Sequence, residues 1–212
     1  RAMTAIKVCG LTRAEDVALA CAEGVSWLGF NFSSASPRRV SAETAREIAA
    51  AATPGVLRVG VFVEETWDAI SDAARRVPLD LVQIHRPLKS GDVAKSPVPL
   101  IAVAHVGEGG PHLPEIGLLG RCRALLFDRL ERGRAGGTGL AFDWGVIVDR
   151  TFPVAVLVAG GMNAENVAEA IARVRPWGVD VTSGIESAPG RKDPEKMRRF
   201  VEAVRRADAA AA

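Results

Sequence analysis

Cysteine is scarce in this sequence: Cys9, Cys21 and Cys122 are the only three in 212 residues, odd in number and far apart. That leaves no basis for a disulfide framework or a cysteine-built zinc site and predicts reduced thiols in a cytoplasmic protein. Charge of one sign is missing too, since 27 Lys and Arg stand against 25 Asp and Glu, for a net charge of +2 spread along the chain. Such a balance predicts neither a nucleic-acid partner nor a membrane surface. No apolar run approaches the uninterrupted length of a membrane helix, and no signal-peptide pattern precedes Cys9. No linker, low-complexity stretch or charge block divides the chain. One domain is therefore expected over residues 3–208, with Arg1-Ala2 read as a vector remnant and 209–212 as a flexible tail.

What is present is an alternation. Apolar runs at 5–9, 27–32, 57–63, 79–84, 100–105, 124–128, 154–159 and 179–183 read as buried strands. Between them, Ala-, Glu- and Arg-rich stretches at 13–23, 41–52, 66–76, 143–149, 164–174 and 193–207 carry helical spacing. Segments 88–95 and 112–119 are short, interrupted by Gly and Pro, and weaker as helices. Thr12 ahead of Arg13-Ala14-Glu15 makes a capping box, and Ser41 and Asn163 open helices in a similar way. Eight strands in βα alternation predict a mostly parallel α/β sheet. The count favours a single-domain (β/α)8 TIM barrel over a doubly wound open sheet.

In such a barrel chemistry gathers at the carboxyl ends of the strands. The first run ends in Cys9-Gly10, the fourth in Gln83-Ile84-His85 and the sixth in Asp128. The seventh ends in Ala159-Gly160-Gly161 and the eighth in Asp180-Val181-Thr182-Ser183-Gly184. Strand ends are wet, so polar residues alone mean little there. Two small-residue loops on the last two strands, however, match the phosphate site that these barrels build from backbone N–H groups; tight βα turns are the plainer alternative. In strand order Cys9 and Asp128 flank those loops. A thiol and a carboxyl on opposite sides of a bound phosphosugar are what proton-transfer isomerisation requires. Against this, cysteine usually packs as a small hydrophobe, and a strand-end aspartate is often a solvated carboxylate or a helix cap. Arg38, after Ser36-Pro37, is either an anion clamp over the mouth or a solvated neighbour of Arg39. Gly136-Gly137-Thr138-Gly139 is either a loop that closes over substrate or a plain surface loop.

These stretches together resemble the phosphoribosylanthranilate isomerase family of tryptophan biosynthesis. The resemblance is carried by Lys7-Val8-Cys9-Gly10-Leu11-Thr12, Gly29-Phe30-Asn31-Phe32, Ser36-Pro37-Arg38, Val59-Gly60-Val61-Phe62-Val63 and Val82-Gln83-Ile84-His85. It continues through Gly136-Gly137-Thr138-Gly139, Phe142-Asp143-Trp144, Gly160-Gly161-Met162-Asn163 and Asp180-Val181-Thr182-Ser183-Gly184-Ile185-Glu186. It implies an Amadori rearrangement that turns an aminoaldose phosphate into an aminoketose. By that resemblance Asp128 is the general acid that opens the furanose ring and Cys9 the general base that removes the C2′ proton. Arg38 would hold the anthranilate carboxylate, Asp180 the ribose hydroxyls, and Gln83 and His85 further parts of the substrate. Gly160, Gly161, Ser183 and Gly184 would bind phosphate.

The resemblance implies no metal and no organic cofactor, because the imine cation is itself the electron sink. The partner it implies is a small-molecule phosphosugar substrate, bound by a monomer or a weak homodimer. Departures from the family pattern are Ser33-Ser34-Ala35, Arg39, Arg86, Ala102, Leu140 and the basic segment 129–135; they bear on the anthranilate end and on loop closure. Two other readings stay open. A histidine-pathway aminoaldose isomerase generally carries a carboxylate at the end of strand one, where this chain has Cys9. A phosphate-binding barrel without chemistry would not need Cys9, Arg38, Asp128 and Asp180 together.

Overall fold

The computed structural model describes residues 3–107, 109–129 and 143–211. Eight strands form the barrel: β1 (Ala5–Val8), β2 (Trp27–Asn31), β3 (Leu57–Phe62), β4 (Leu81–Ile84), β5 (Leu100–Gly107), β6 (Ala124–Arg129), β7 (Ala155–Val158) and β8 (Gly178–Val181). Each pairs in parallel with the next, and β8 returns to pair with β1, which closes the sheet as the alternation predicts. The helices are α1 (Ala14–Ala22), α2 (Ala42–Ala49), α3 (Trp67–Arg76), α4 (Asp92–Lys95), α5 (Ile116–Leu119), α6 (Val167–Val174) and α7 (Pro194–Ala210).

The strands read as continuous apolar runs because both of their faces are buried. Side chains alternate between the two faces, so parity decides which way each residue points. Ile6, Val8, Val82, Ile84, Val179 and Val181 belong to the core between sheet and helices. Cys9, Val59, Val61, Leu81, Ile101, Val103, Leu126 and Leu157 fill the barrel interior. The same parity turns Lys7, Gln83, His105, Asp128 and Asp180 inward. Parallel register sets Lys7 beside Asp180 and His105 beside Asp128.

Several boundaries differ from expectation. The capping box at Thr12 does not form: Arg13 is the N-cap of α1 and makes no side-chain cap bond, while the Thr12 hydroxyl donates to the Gly190 carbonyl. Ser41 does cap α2, accepting from Thr44 N at 3.0 Å, and Asn163 Oδ1 accepts from the N–H groups of Glu165 and Asn166 in the turn before α6. The helix expected at 143–149 is only a 3₁₀ turn, Trp144–Val146, because Gly145 and the β-branched Val146-Ile147-Val148 are poor helix formers. The weak segments shrink to the single turns α4 and α5. Strand β5 runs on to Gly107 and folds back antiparallel onto Gly110–His112. After β8, Glu186–Ala188 and Arg191–Lys192 form a short antiparallel ribbon that the sequence reading does not include. Helix α7 follows, capped by Asp193, and takes in Ala209 and Ala210 of the expected tail.

Candidate active site

The carboxyl ends of the strands surround an open cleft. Cys9, Arg38, Gln83, His85, Asp128 and Asp180 line it. Gly160, Gly161 and Ser183 lie in the same wall, so nine of the ten expected site residues meet in one place. The tenth, Gly184, sits one step back in the adjoining depression and packs against the Met162 carbonyl so closely that a Cβ would clash. The loops after β7 and β8 are thus in backbone-to-backbone contact, which only glycine permits there.

Cys9 follows the last residue of β1 and is 7% exposed. Room for its thiol comes from Gly29 on β2, where a Cβ would lie 2.7 Å from Sγ. Two residues back, on the same face, Lys7 donates from Nζ to Asp180 Oδ1 at 3.0 Å, and both side chains are buried. Burial pulls the Lys7 pKa down, but the Asp180 carboxylate and Cys9 beside it outweigh that and hold it above the ordinary lysine value. Lys7 therefore stays an ammonium, and Asp180 keeps Oδ2 without a donor among the described residues.

Asp128, across the cleft on β6, accepts from Arg129 N at 2.8 Å through Oδ1. Burial first and the Asp180 charge second push its pKa up to about 6, against the opposing pull of His105, the Arg129 N–H and Lys7. It is thus a carboxyl that can hold a proton near neutrality.

Arg38 is neither a free clamp nor a solvated surface residue. It is 6% exposed, and its guanidinium forks onto Glu186: Nε donates to both carboxylate oxygens at 2.9 and 3.1 Å, and Nη2 to Oε2 at 2.7 Å. A guanidinium this deep needs a counterion, and the ribbon after β8 supplies it. Nη1 is left without a protein acceptor among the described residues.

Gln83 Nε2 donates to His85 Nε2 at 2.7 Å, while Gln83 Oε1 is buried with no partner among the described residues. Burial, with His105 and Lys7 nearby, pushes His85 down to about 3, so its ring is neutral. His105 donates from Nε2 to the His85 carbonyl at 2.8 Å. Lys7 and His105 are site residues to which the sequence reading assigns no role, although each is polar at inward parity in an apolar strand.

Gly160 and Gly161 have φ of +77° and +76°, and a Cβ on Gly160 would lie 2.9 Å from Arg129 N and 3.3 Å from Asp128 Oδ1. Both residues hold a positive φ that favours glycine, and both line the cleft. The Asn166 side chain steadies the loop by donating to the Gly161 carbonyl at 2.9 Å. Among the departures, Arg86 turns away from the cleft, bonding Asp92 Oδ2 at 2.8 Å and lying over the Trp67 ring. Ala102 packs outside the barrel against the helices. Gly136-Gly137-Thr138-Gly139, Leu140, Phe142 and most of the basic segment lie outside the described residues. Among the described residues no group of three His, Cys, Asp or Glu could hold a metal ion, and no helix is long and apolar enough to cross a membrane.

Comparison with known proteins points one way. The family model for N-(5′-phosphoribosyl)anthranilate (PRA) isomerase matches residues 6–203. The N-(5′-phosphoribosyl)anthranilate isomerase of Chlorobaculum parvum is 42% identical over 97% of this chain and 97% of its own length. That of Thiobacillus denitrificans is 39% identical over 92% of this chain and 95% of its own. Among solved structures, phosphoribosyl anthranilate isomerase from Thermus thermophilus superposes with a TM-score of 0.83 at 30% identity, covering 96% of this chain and 99% of that one. A phosphoribosyl anthranilate isomerase in complex with reduced 1-(o-carboxyphenylamino)-1-deoxyribulose 5-phosphate does so with a TM-score of 0.79 at 32% identity, with the same coverage.

Proposed function

Because this chain belongs to the N-(5′-phosphoribosyl)anthranilate isomerase family, we propose that its cleft performs the Amadori rearrangement with Asp128 as general acid and Cys9 as general base. The activity is that of an isomerase of tryptophan biosynthesis, which converts N-(5-phosphoribosyl)anthranilate into 1-(2-carboxyphenylamino)-1-deoxyribulose 5-phosphate.

The substrate phosphate rests on the N–H groups of Gly160, Gly161 and Ser183, with Gly184 closing the loop behind them. Asp128 gives its proton to the furanose ring oxygen; the ring C1′–O bond breaks and a cationic Schiff base forms. Cys9 Sγ, as the base, then takes the C2′ proton, the electrons move into the imine, and an enolamine results. The enolamine tautomerises to the ketone. Asp180 Oδ2 and Gln83 Oε1, acceptors in the cleft wall that have no partner among the described residues, take substrate hydroxyls. His85, held neutral, fixes Gln83. Arg38 meets the anthranilate carboxylate through Nη1 while Glu186 holds the rest of its fork. Every proposed group comes from one chain, so the site serves a monomer or a homodimer alike. Three free cysteines support a reducing, cytoplasmic setting.

One observation carries this reading: a thiol just after β1 and a proton-holding carboxyl on β6 line one cleft with the glycine loops of β7 and β8. The test follows the loss of substrate fluorescence. Turnover of the anthranilate substrate, with none of the histidine-pathway aminoaldose, supports it. Turnover of the histidine-pathway compound alone, or phosphosugar binding without turnover, overturns it.

A further inference from the structure

The ribbon after β8 holds a charged residue that the mechanism above does not use. Lys192 is buried, and its ammonium makes three bonds: to the Cys9 carbonyl at 2.6 Å, the Thr182 carbonyl at 3.0 Å and Glu186 Oε1 at 3.0 Å. Three acceptors are all that an ammonium can serve. The two carbonyls lie where β1 and β8 end and give way to Gly10 and to the phosphate loop. Glu186, in turn, is the residue that forks onto Arg38. The backbone N–H of Lys192 is itself held by Asp16 Oδ2 of α1 at 3.2 Å.

From this geometry we propose that Lys192 is a positioning residue for the isomerisation: by holding the Cys9 carbonyl against the end of β8, it sets where the Cys9 thiol stands in the cleft. The inference rests on Cys9 acting as the base. Lys192 touches neither the phosphate nor the sugar, so its removal should misplace the base more than weaken binding.

The test is Lys192→Met, which keeps the length of the side chain while Glu186 retains Arg38. The expected result is a fall in kcat of about 100-fold, the cost of a misplacement of about 1 Å. KM should stay within about threefold, because Glu186 keeps its own fork on Arg38 and the phosphate loop keeps its backbone N–H groups. A folded Lys192→Met enzyme with parental kcat, or with raised KM and unchanged kcat, overturns the inference. Where Lys192→Met does not fold, Lys192→Arg, which keeps the cation but moves its donors, is assayed instead. A fall in kcat with KM within about threefold supports the positioning role, and parental kcat overturns it. Cys9→Ala is measured alongside. Parental turnover there defeats the base assignment itself, whereas an inactive Cys9→Ala with a fully active Lys192→Met defeats only the role of Lys192.

Discussion

Replacing Asp128 with Asn keeps the side chain's shape and its acceptor for the Arg129 N–H but removes the titrating proton. The consequence for stability follows from the raised pKa. Asp128 titrates at about 6 in the fold against 3.8 unperturbed. At about 1.4 kcal/mol per pH unit, ionising it in the folded protein therefore costs at most about 3 kcal/mol. Below pH 4 the group is protonated folded and unfolded, and there is no penalty. Above pH 6 it is ionised in both, and the penalty is complete. The parent should thus lose stability relative to Asp128→Asn as pH rises from about 4 to about 6, with the gap widening by about 1–3 kcal/mol. Urea unfolding of both proteins at pH 4, 5, 6 and 7 measures it, since titrations of groups remote from Asp128 are common to the pair and cancel. Turnover should move the opposite way. Asp128→Asn should lose about 10²–10⁴ in kcat as the general acid disappears, and parental kcat/KM should decline as pH rises through about 6. A stability gap that is flat with pH, or that narrows, would show that the fold does not hold a proton on Asp128. The acid assignment would then lose its physical basis.

Other substitutions probe the remaining parts of the site. Cys9→Ala should lower kcat by about 10²–10⁴ while calorimetric affinity for the product changes little; equal losses in both would mean that the thiol packs and does not react. Gly184→Ala drives a Cβ into the Met162 carbonyl, so thermal unfolding should show a loss of about 1–3 kcal/mol and KM should rise, because both phosphate loops must part. Unchanged KM in a stable Gly184→Ala enzyme would place the phosphate elsewhere. Arg38→Met removes three charged bonds to Glu186 and should cost about 2 kcal/mol in urea unfolding. Its KM for the anthranilate substrate should rise while inhibition by inorganic phosphate stays unchanged, and a parallel change in both would deny it the carboxylate role.

The residues differ in how legible they were in the sequence, and the reason is the distance over which each partner must be found. The barrel was legible because every strand is buried on both faces, which writes eight apolar runs into the chain. Cys9 and Asp128 were legible as polar ends of such runs, and the glycine loops as turns in the right order. The Thr12 capping box failed for a different reason: its local pattern was correct, but a carbonyl 178 residues away won the hydroxyl. Glu186 and Lys192 were invisible as a site because their partners Arg38 and Cys9 lie 148 and 183 residues off, and no periodicity records such pairings. Lys7 and His105 are intermediate. Nothing nearby announces them, yet strand parity alone assigns both to the barrel interior once Cys9 and Val103 point there. A charged or imidazole side chain turned inward in an apolar barrel strand must find a polar partner, and around the mouth the partners are the site itself. Parity counted back from a candidate catalytic residue is therefore the signal that reaches Lys7, whereas Lys192 becomes visible only when the ribbon is folded beneath Cys9.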